Sequence, residues 1–435
     1  MKKSVFLKEG LHYHVRNLFP ICRSITGEGI RETLNYFENY NNEFKRIRFK
    51  TGEKIFDWQV PEEWEIKDSY IQHLNTGEKF AEFKKNNLHL VNYSSPINKI
   101  MELQELLPHL HYSKTDDSYI PYVTSYYKKY WGFCLSKKEL KNLPQGKYKV
   151  FINSSFKKGN LELSHALLQG KSKKQILFSS YVCHPSMANN ELSGPVILNA
   201  LLDYLKNNFK KRKFSYRFLM VPETIGSIAY ISKYFKSLKN NVICGFNLSC
   251  VGDEKAYSYI NSPFKNTPAD KAIKAALIGK KNVKQYSFLE RGSDERQFCS
   301  PGLRLPLCTF SRSKFGEFPE YHTSADNLNL VTEKGLLGSF EIMKSIIESF
   351  EIGLYPKINV IGEPQLGKRG LYPNISLVRD NHPASLRMDL LAYSDGKTSI
   401  FDIANITNYP LVDILNEYKK LKKSDLLDSL FEPII

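Results

Sequence analysis

Nowhere in this sequence is there an apolar run long enough to cross a bilayer, which sets membrane-spanning channels and transporters aside. The chain opens on Lys2 and Lys3 but follows them with no sustained apolar stretch and no cleavage site. The expectation is therefore a cytoplasmic protein with no secretion signal. Its seven cysteines form no CxxC pair and no regular spacing, so they read as reduced thiols and not as a disulfide framework. Internal repeats and low-complexity tracts are missing too, which excludes solenoids and arrays. What is present is a globular composition, 42% hydrophobic over 435 residues, enough for two or three domains. The formal charge of +17 comes from 62 Lys and Arg against 45 Asp and Glu. The lysines are spread along the chain among acids. Runs such as Lys210-Lys211-Arg212-Lys213 fall between a predicted helix and a strand, so they argue for a solvated surface and against a nucleic-acid partner.

Residues 1–46 carry helical spacing, interrupted by the turn-rich PICRSITGEG. From about 50 to 158 short alternating, aromatic runs broken by turns predict a mainly β module, with one helix over INKIMELQELLPHL. From 160 to 355 continuous apolar strands alternate with amphipathic helices, the pattern of a mostly parallel sheet covered on both faces. A Gly/Pro-rich strap, GEPQLGKRGLYP, opens the tail. Two short helices follow, TSIFDIANI and PLVDILNEYKKLKK, with the size and spacing of a helix-turn-helix.

Open α/β sheets gather ligands at the carboxyl ends of their strands. Three polar segments fall there. CHPSMANNELSG places His184 after the strand KQILFSSYV, with Asn190 and Glu191 just before a helix. PETIGS places Glu223 at the tip of FSYRFLMV, and EYHTSADN carries His322. Imidazoles and carboxylates converging on one rim are what a zinc hydrolase needs, with one carboxylate left free to take a proton from water. Taken singly, each has an ordinary structural explanation: a hydrogen-bonded loop histidine, or a carboxylate at a helix N-terminus for Glu223 and for Asp294 in RGSDERQF. Their joint order carries the signal.

That order resembles the M28-type zinc aminopeptidases: NNELSG, ETIG, SDERQF and YHTSADN match successive motifs of that family. FPICRSITGEGIRETL, FDWQVPEEW, YVCHPSMANNELSGP, GEFPEYHTS and EPQLGKRGLYP resemble the DUF4910/DUF2172 subgroup of aminopeptidase-like proteins, some of them labelled for surface-polysaccharide biosynthesis. The resemblance implies an α/β zinc-aminopeptidase-like core (1–49 and 159–355), an inserted β-rich lobe (50–158) and a C-terminal winged-helix domain (356–435). By position it implies His184 and His322 as zinc ligands and Glu223 as the general base.

The chain departs from the family pattern where carboxylates are expected. Ser186, Asn190, Thr224 and Ser249 stand at four such positions, Asn190 being the one that would bridge two metals. Glu191 and Asp253 are the carboxylates that could restore charge, and Tyr321 or Arg291 could steady an oxyanion. The leading expectation is a hydrolase of an amide bond in a peptide or an N-acylated small molecule, using one or two zinc ions. A non-catalytic scaffold or ligand-binding protein with a degenerate site is the first alternative. A winged-helix nucleic-acid-binding regulator is the second, weakened because the helix that would enter the groove is apolar and acidic at its N-terminal end. Self-association is left open.

Overall fold

A computed structural model describes residues 5–371 and 385–434. Its centre is an eight-stranded mixed sheet, in the order Lys45–Lys50, Asn160–Leu168, Ser215–Val221, Gln175–Tyr181, Val242–Leu248, Leu307–Ser311, Tyr257–Ile260, Val283–Tyr286. The expectation of a mostly parallel sheet needs refinement. The four strands from Ser215–Val221 to Leu307–Ser311 are mutually parallel, whereas antiparallel pairings attach the strands outside them on both sides. Gln175–Tyr181 and Ser215–Val221 are buried along their whole length, which explains why they read as unbroken apolar runs.

After Gln175–Tyr181 the chain crosses through the helix Ser193–Asn208 to the neighbour on one side, Ser215–Val221. It then returns through Ile225–Asn241 to the neighbour on the other side, Val242–Leu248. The crossovers thus diverge at the carboxyl end of Gln175–Tyr181, the place in an open sheet where a crevice forms. Gly194 opens the first helix there. A Cβ at Gly194 would lie 2.0 Å from Ser180 Oγ and 2.6 Å from the Leu248 carbonyl, so only glycine lets the helix sit this close to the sheet.

Residues between the first two strands of this sheet fold outward. Lys79–Phe80, Glu63–His73, Lys147–Lys157 and Ile97–Glu102 form an antiparallel four-stranded sheet. Ile97–Glu102 corrects the helix expected over INKIMELQELLPHL. The segment begins extended along Lys147–Lys157, and helix is confined to Leu103–Leu106, started by a reciprocal cap between Glu102 and Glu105, and a 3-10 turn over Leu107–His109. Lys147–Lys157 passes into the core strand Asn160–Leu168 through two residues, and one hydrophobic cluster unites Trp64 and Val150 of the outer sheet with Leu161 and Leu219 of the central one.

The C-terminal unit pairs Tyr355–Ile358 with Leu427–Leu430 around three helices, Ser385–Ala392, Ile400–Thr407 and Leu411–Lys423. Sequence reasoning missed the first of these helices, and residues 372 and 373 of the strap lie outside the described residues. Leu411–Lys423 buries Leu411, Ile414, Leu415, Tyr418 and Leu421, and packs on Pro268–Leu277 and Glu333–Ile352 of the core. Its exposed N-terminal positions are Val412 and Asp413, and Lys419 is engaged by Glu348 at 3.0 Å. No helix among the described residues is long and apolar enough to cross a membrane.

His165, on Asn160–Leu168, hydrogen-bonds Tyr230 Oη at 3.1 Å. Burial first, then the charges of Arg217 and Lys233, hold its pKa down to about 4. The unfolded chain takes up this proton near pH 6.5 and the folded one does not, so the stabilisation is complete above that pH and is lost as pH falls toward 4. Thermal unfolding of His165→Gln should show a shallower acid slope than wild type, by up to ~1.4 kcal/mol per pH unit in this window.

Candidate functional site

Tyr181 ends the central strand, and two residues beyond Val182 the chain delivers His184 into the crevice. A wide π-helical turn, Ala188–Leu192, then carries Asn190 and Glu191 before the helix begins; such turns recur at functional sites. His184 Nδ1 lies 2.8 Å from Glu191 Oε2, and Glu191 Oε1 lies 3.6 Å from Arg23 Nε. Arg23 is fully buried and also donates from Nε to the His184 carbonyl (2.9 Å) and from Nη1 to the Leu18 carbonyl (2.7 Å). With Nδ1–H given to Glu191, His184 keeps the lone pair on Nε2 and aims it into the cleft, 3.7 Å from Glu223 Oε2. The His322 ring centroid is 5.3 Å from that of His184, and its buried Nε2 meets no hydrogen-bond partner. Tyr321 stacks on His322 at 3.9 Å, and Tyr122 packs edge-on against both imidazoles, at 5.2 Å and 5.1 Å.

The electrostatics favour neutral imidazoles. Burial, and then the Arg23 charge, push His184 down to about 3; burial, and then His184, drive His322 well below its usual range. Burial lifts Glu191 up to about 8 against the pull of Arg23. Glu223 is raised by burial and then by the neighbouring Asp294, whose own carboxyl burial also raises. Four non-glycine residues around the rim are left-handed, Ser186, Thr224, Cys250 and His322, with φ of 42°, 66°, 55° and 55°. Strain of this kind collects where a fold must present side chains in a set direction.

The structure therefore brings His184, Glu223 and His322 to one rim, with Tyr321 stacked on His322. Glu191 lies against the Nδ1 side of His184. Asn190 Oδ1 accepts from Tyr181 Oη at 2.7 Å, and the same hydroxyl shares a hydrogen bond with Ser249 Oγ at 2.6 Å. Asp253 is committed to structure: its two oxygens accept from Asn189 Nδ2, Lys255 N, Ser313 N and Ser313 Oγ at 2.8–3.0 Å. Arg291 is exposed and lies over Phe288; the arginine that reaches the rim is Arg296, which donates to Thr224 Oγ1 at 2.8 Å.

Four further residues escaped the sequence reading. Arg23 lies in PICRSITGEG, where an arginine among turn and apolar residues was the available signal. Tyr122 and Tyr126 come from the lobe, in a stretch so rich in tyrosine that none stands out; their hydroxyls hydrogen-bond each other. Asp326 was visible in YHTSADN without a role. Its carboxylate accepts from the amides of Ala188 (3.1 Å), Asn189 (2.6 Å) and Asn190 (2.8 Å), tying the His322 loop to the π-helical turn. Asp326→Ala should leave the buried Asn189 and Asn190 amides unpaired, while Ala188 N keeps the Asp326 carbonyl at 3.0 Å, and cost about 2–3 kcal/mol. Urea unfolding measures this, and a loss below ~1 kcal/mol would show that water replaces the carboxylate.

His184 and His322 stand beside Glu223, and the buried His322 Nε2 has no partner among the described residues, but these three do not bring one ligand atom each within 4.8 Å of one another, so they form at most a loose donor set for a single zinc ion. A two-ion centre does not fit. The groups at the remaining positions are neutral and satisfy one another through Tyr181, Asn190 and Ser249. Among the described residues the set whose ligand atoms do lie within 4.8 Å of one another is Cys183, His184 and Glu191, all buried, with His184 Nδ1 already hydrogen-bonded to Glu191.

Comparison with known proteins agrees with this architecture. Residues 12–353 match the family described as a domain of unknown function, DUF4910, and residues 354–429 match a winged helix-turn-helix. A Clostridium acetobutylicum protein, named provisionally for polysaccharide biosynthesis and an aminopeptidase-like domain, is 41% identical over 393 residues, covering 90% of this chain and 89% of the relative. A crystal structure of a provisionally named peptidase from Clostridium acetobutylicum superposes with a TM-score of 0.87 at 38% identity, covering 97% of this chain and 96% of that one. The zinc aminopeptidase of Bacillus subtilis shares the fold at 13% identity, with a TM-score of 0.58 and coverage of 80% and 95%. With the family match spanning most of its length, this chain belongs to the DUF4910 family, an aminopeptidase-like fold that here carries a C-terminal winged helix.

Proposed function

We propose that this protein is a cytoplasmic metal-dependent hydrolase of amide bonds. The observation that supports the reading is His184, whose Nε2 lies 3.7 Å from Glu223 Oε2 and whose ring lies 5.3 Å from that of His322, itself with a buried Nε2 that has no partner among the described residues. His184 and His322 would hold one zinc ion, which when bound supplies Lewis-acid polarisation of water and of the amide carbonyl. Glu191 fixes the tautomer and direction of His184, as carboxylates behind ligating histidines do. Glu223, raised by burial and by Asp294, is poised to accept a proton near neutral pH and return it to the leaving amine. Asp294 accepts from the Thr224 amide at 2.7 Å and so holds the turn that presents Glu223. Tyr321, against His322, offers a hydroxyl to the developing oxyanion. The relative named for polysaccharide biosynthesis favours an N-acylated amino sugar over a peptide.

A second reading has one observation in its favour. The neutral Tyr181–Asn190–Ser249 network suits a protein that retained the fold for binding and not for catalysis. Zinc analysis of protein purified without chelator, followed by a panel of aminoacyl-arylamides and N-acyl sugars, separates the two. About one zinc per chain with turnover of an acyl sugar supports the hydrolase; protein that takes up no zinc under any condition supports the binding protein.

A further inference from the structure

The lobe carries an open pocket of about 470 Å³ whose walls include Tyr93, Tyr126, Tyr127 and Phe156. The proposed mechanism uses nothing in it. The rings meet at steep angles, 71° between Tyr93 and Phe156 and 78° between Tyr126 and Tyr127, so they form a corner with two flat faces. Tyr127 is 58% exposed, unusual for so large a ring unless something lies against it. An aromatic face is electron-rich and attracts weakly positive C–H groups, which a pyranose ring presents on its faces. The same cavity is flanked by Glu62, Lys128 and Lys129. Among the described residues none of these three side chains has an ion-pair or hydrogen-bond partner. A free carboxylate accepts from sugar hydroxyls, and two neighbouring ammonium groups attract an anionic substituent.

Tyr126 links this cavity to the cleft. Its ring lines the cavity, while its hydroxyl bonds that of Tyr122, whose ring touches both His184 and His322. We infer that the cavity is a subsite for a negatively charged sugar ring, a uronate or a sugar phosphate, belonging to the substrate of the adjacent cleft. The inference rests on the hydrolase reading for the fate of that substrate, but not for the binding itself. A peptide is the competing occupant, since the pocket adjoins Ile97–Glu102, an edge strand of the lobe's sheet.

Isothermal titration of the full chain with four probes tests it: a glucuronosyl disaccharide, its methyl ester, glucose 1-phosphate and an alanine tripeptide. The disaccharide or the sugar phosphate should bind, and the tighter of the two identifies the anion. The methyl ester, and Lys128→Ala/Lys129→Ala protein with the acid, should each bind about tenfold more weakly or worse. Tyr127→Ala, at an exposed position, should weaken both acidic probes. Binding of neither acidic sugar at millimolar concentration, indifference to the lysine pair, or displacement of the sugar by the tripeptide would overturn the assignment. If the sugar binds this way and no amide is cleaved by any form of the protein, the subsite stands and the hydrolase reading falls.

Discussion

Glu223→Gln is expected to retain zinc at the wild-type level and to lower amide turnover by at least about 10²-fold, because the amide is nearly isosteric yet accepts no proton. His322→Ala, by contrast, should lose zinc along with activity, since its buried Nε2 has no partner among the described residues and its ring lies 5.3 Å from that of His184. A metal assay run beside a rate assay reads both variants at once. Glu223 Oε2 stands 3.7 Å from His184 Nε2, near enough to share an ion with it. Zinc lost from Glu223→Gln would therefore reassign Glu223 as a third ligand, and Asp294 would become the next carboxylate to test as base.

At pH 9, above the value of about 8 to which burial lifts Glu191, Arg23→Ala should destabilise the folded chain by about 3–5 kcal/mol, the cost of leaving a buried carboxylate without its cation. Arg23 and Glu191 are both fully buried, and the arginine also satisfies the His184 and Leu18 carbonyls. Glu191→Gln alone should cost less than Arg23→Ala, and adding it to Arg23→Ala should recover part of the loss, because the orphaned charge is then gone. Denaturant unfolding of the four-member cycle at pH 9 gives the coupling. A loss under ~1 kcal/mol for Arg23→Ala would mean that Glu191 is protonated in the folded state and needs no counter-charge. The same cycle bears on the site, since a loosened Glu191 no longer directs His184.

Much of this was legible in the sequence because it depends on strand ends. Apolar strands alternating with helices place whatever follows each strand at one edge of the sheet, so His184 and Glu223 could be assigned to a common rim from order alone. His322 follows a loop and not a strand, and it was placed by the YHTSADN wording. The reach of a side chain was not legible. Glu191 is next to Asn190 in sequence, yet in the π-helical turn it points behind the histidine while Asn190 meets Tyr181. Arg291 and Arg296 are five positions apart, and only the turn and short helix Glu295–Phe298 decide which of them reaches Thr224. Long-range partners were harder still: Arg23 is 161 residues from the carbonyl it binds, and Tyr122 arrives from a lobe with its own sheet. The helix misassigned over INKIMELQELLPHL has a similar cause, since the pairing with Lys147–Lys157 outweighs local helical spacing.

The segment of the lobe that carries Tyr122 does more than stand near the histidines. Tyr122 N donates to the His322 carbonyl and Ser324 N to the Ile120 carbonyl, each at 2.8 Å, and Ile120 N donates to Ser324 Oγ at 3.0 Å. On its opposite margin the lobe is continuous with the central sheet through Lys158 and Gly159. It is thus moored on both margins, as a bridge is at its abutments. The moorings on this side fall on His322 itself and on the residues just after it, with Pro121 bridged to Thr323. The backbone that presents the histidine is therefore propped from the lobe, and a substitution at Ile120 or Tyr122 is felt at the cleft.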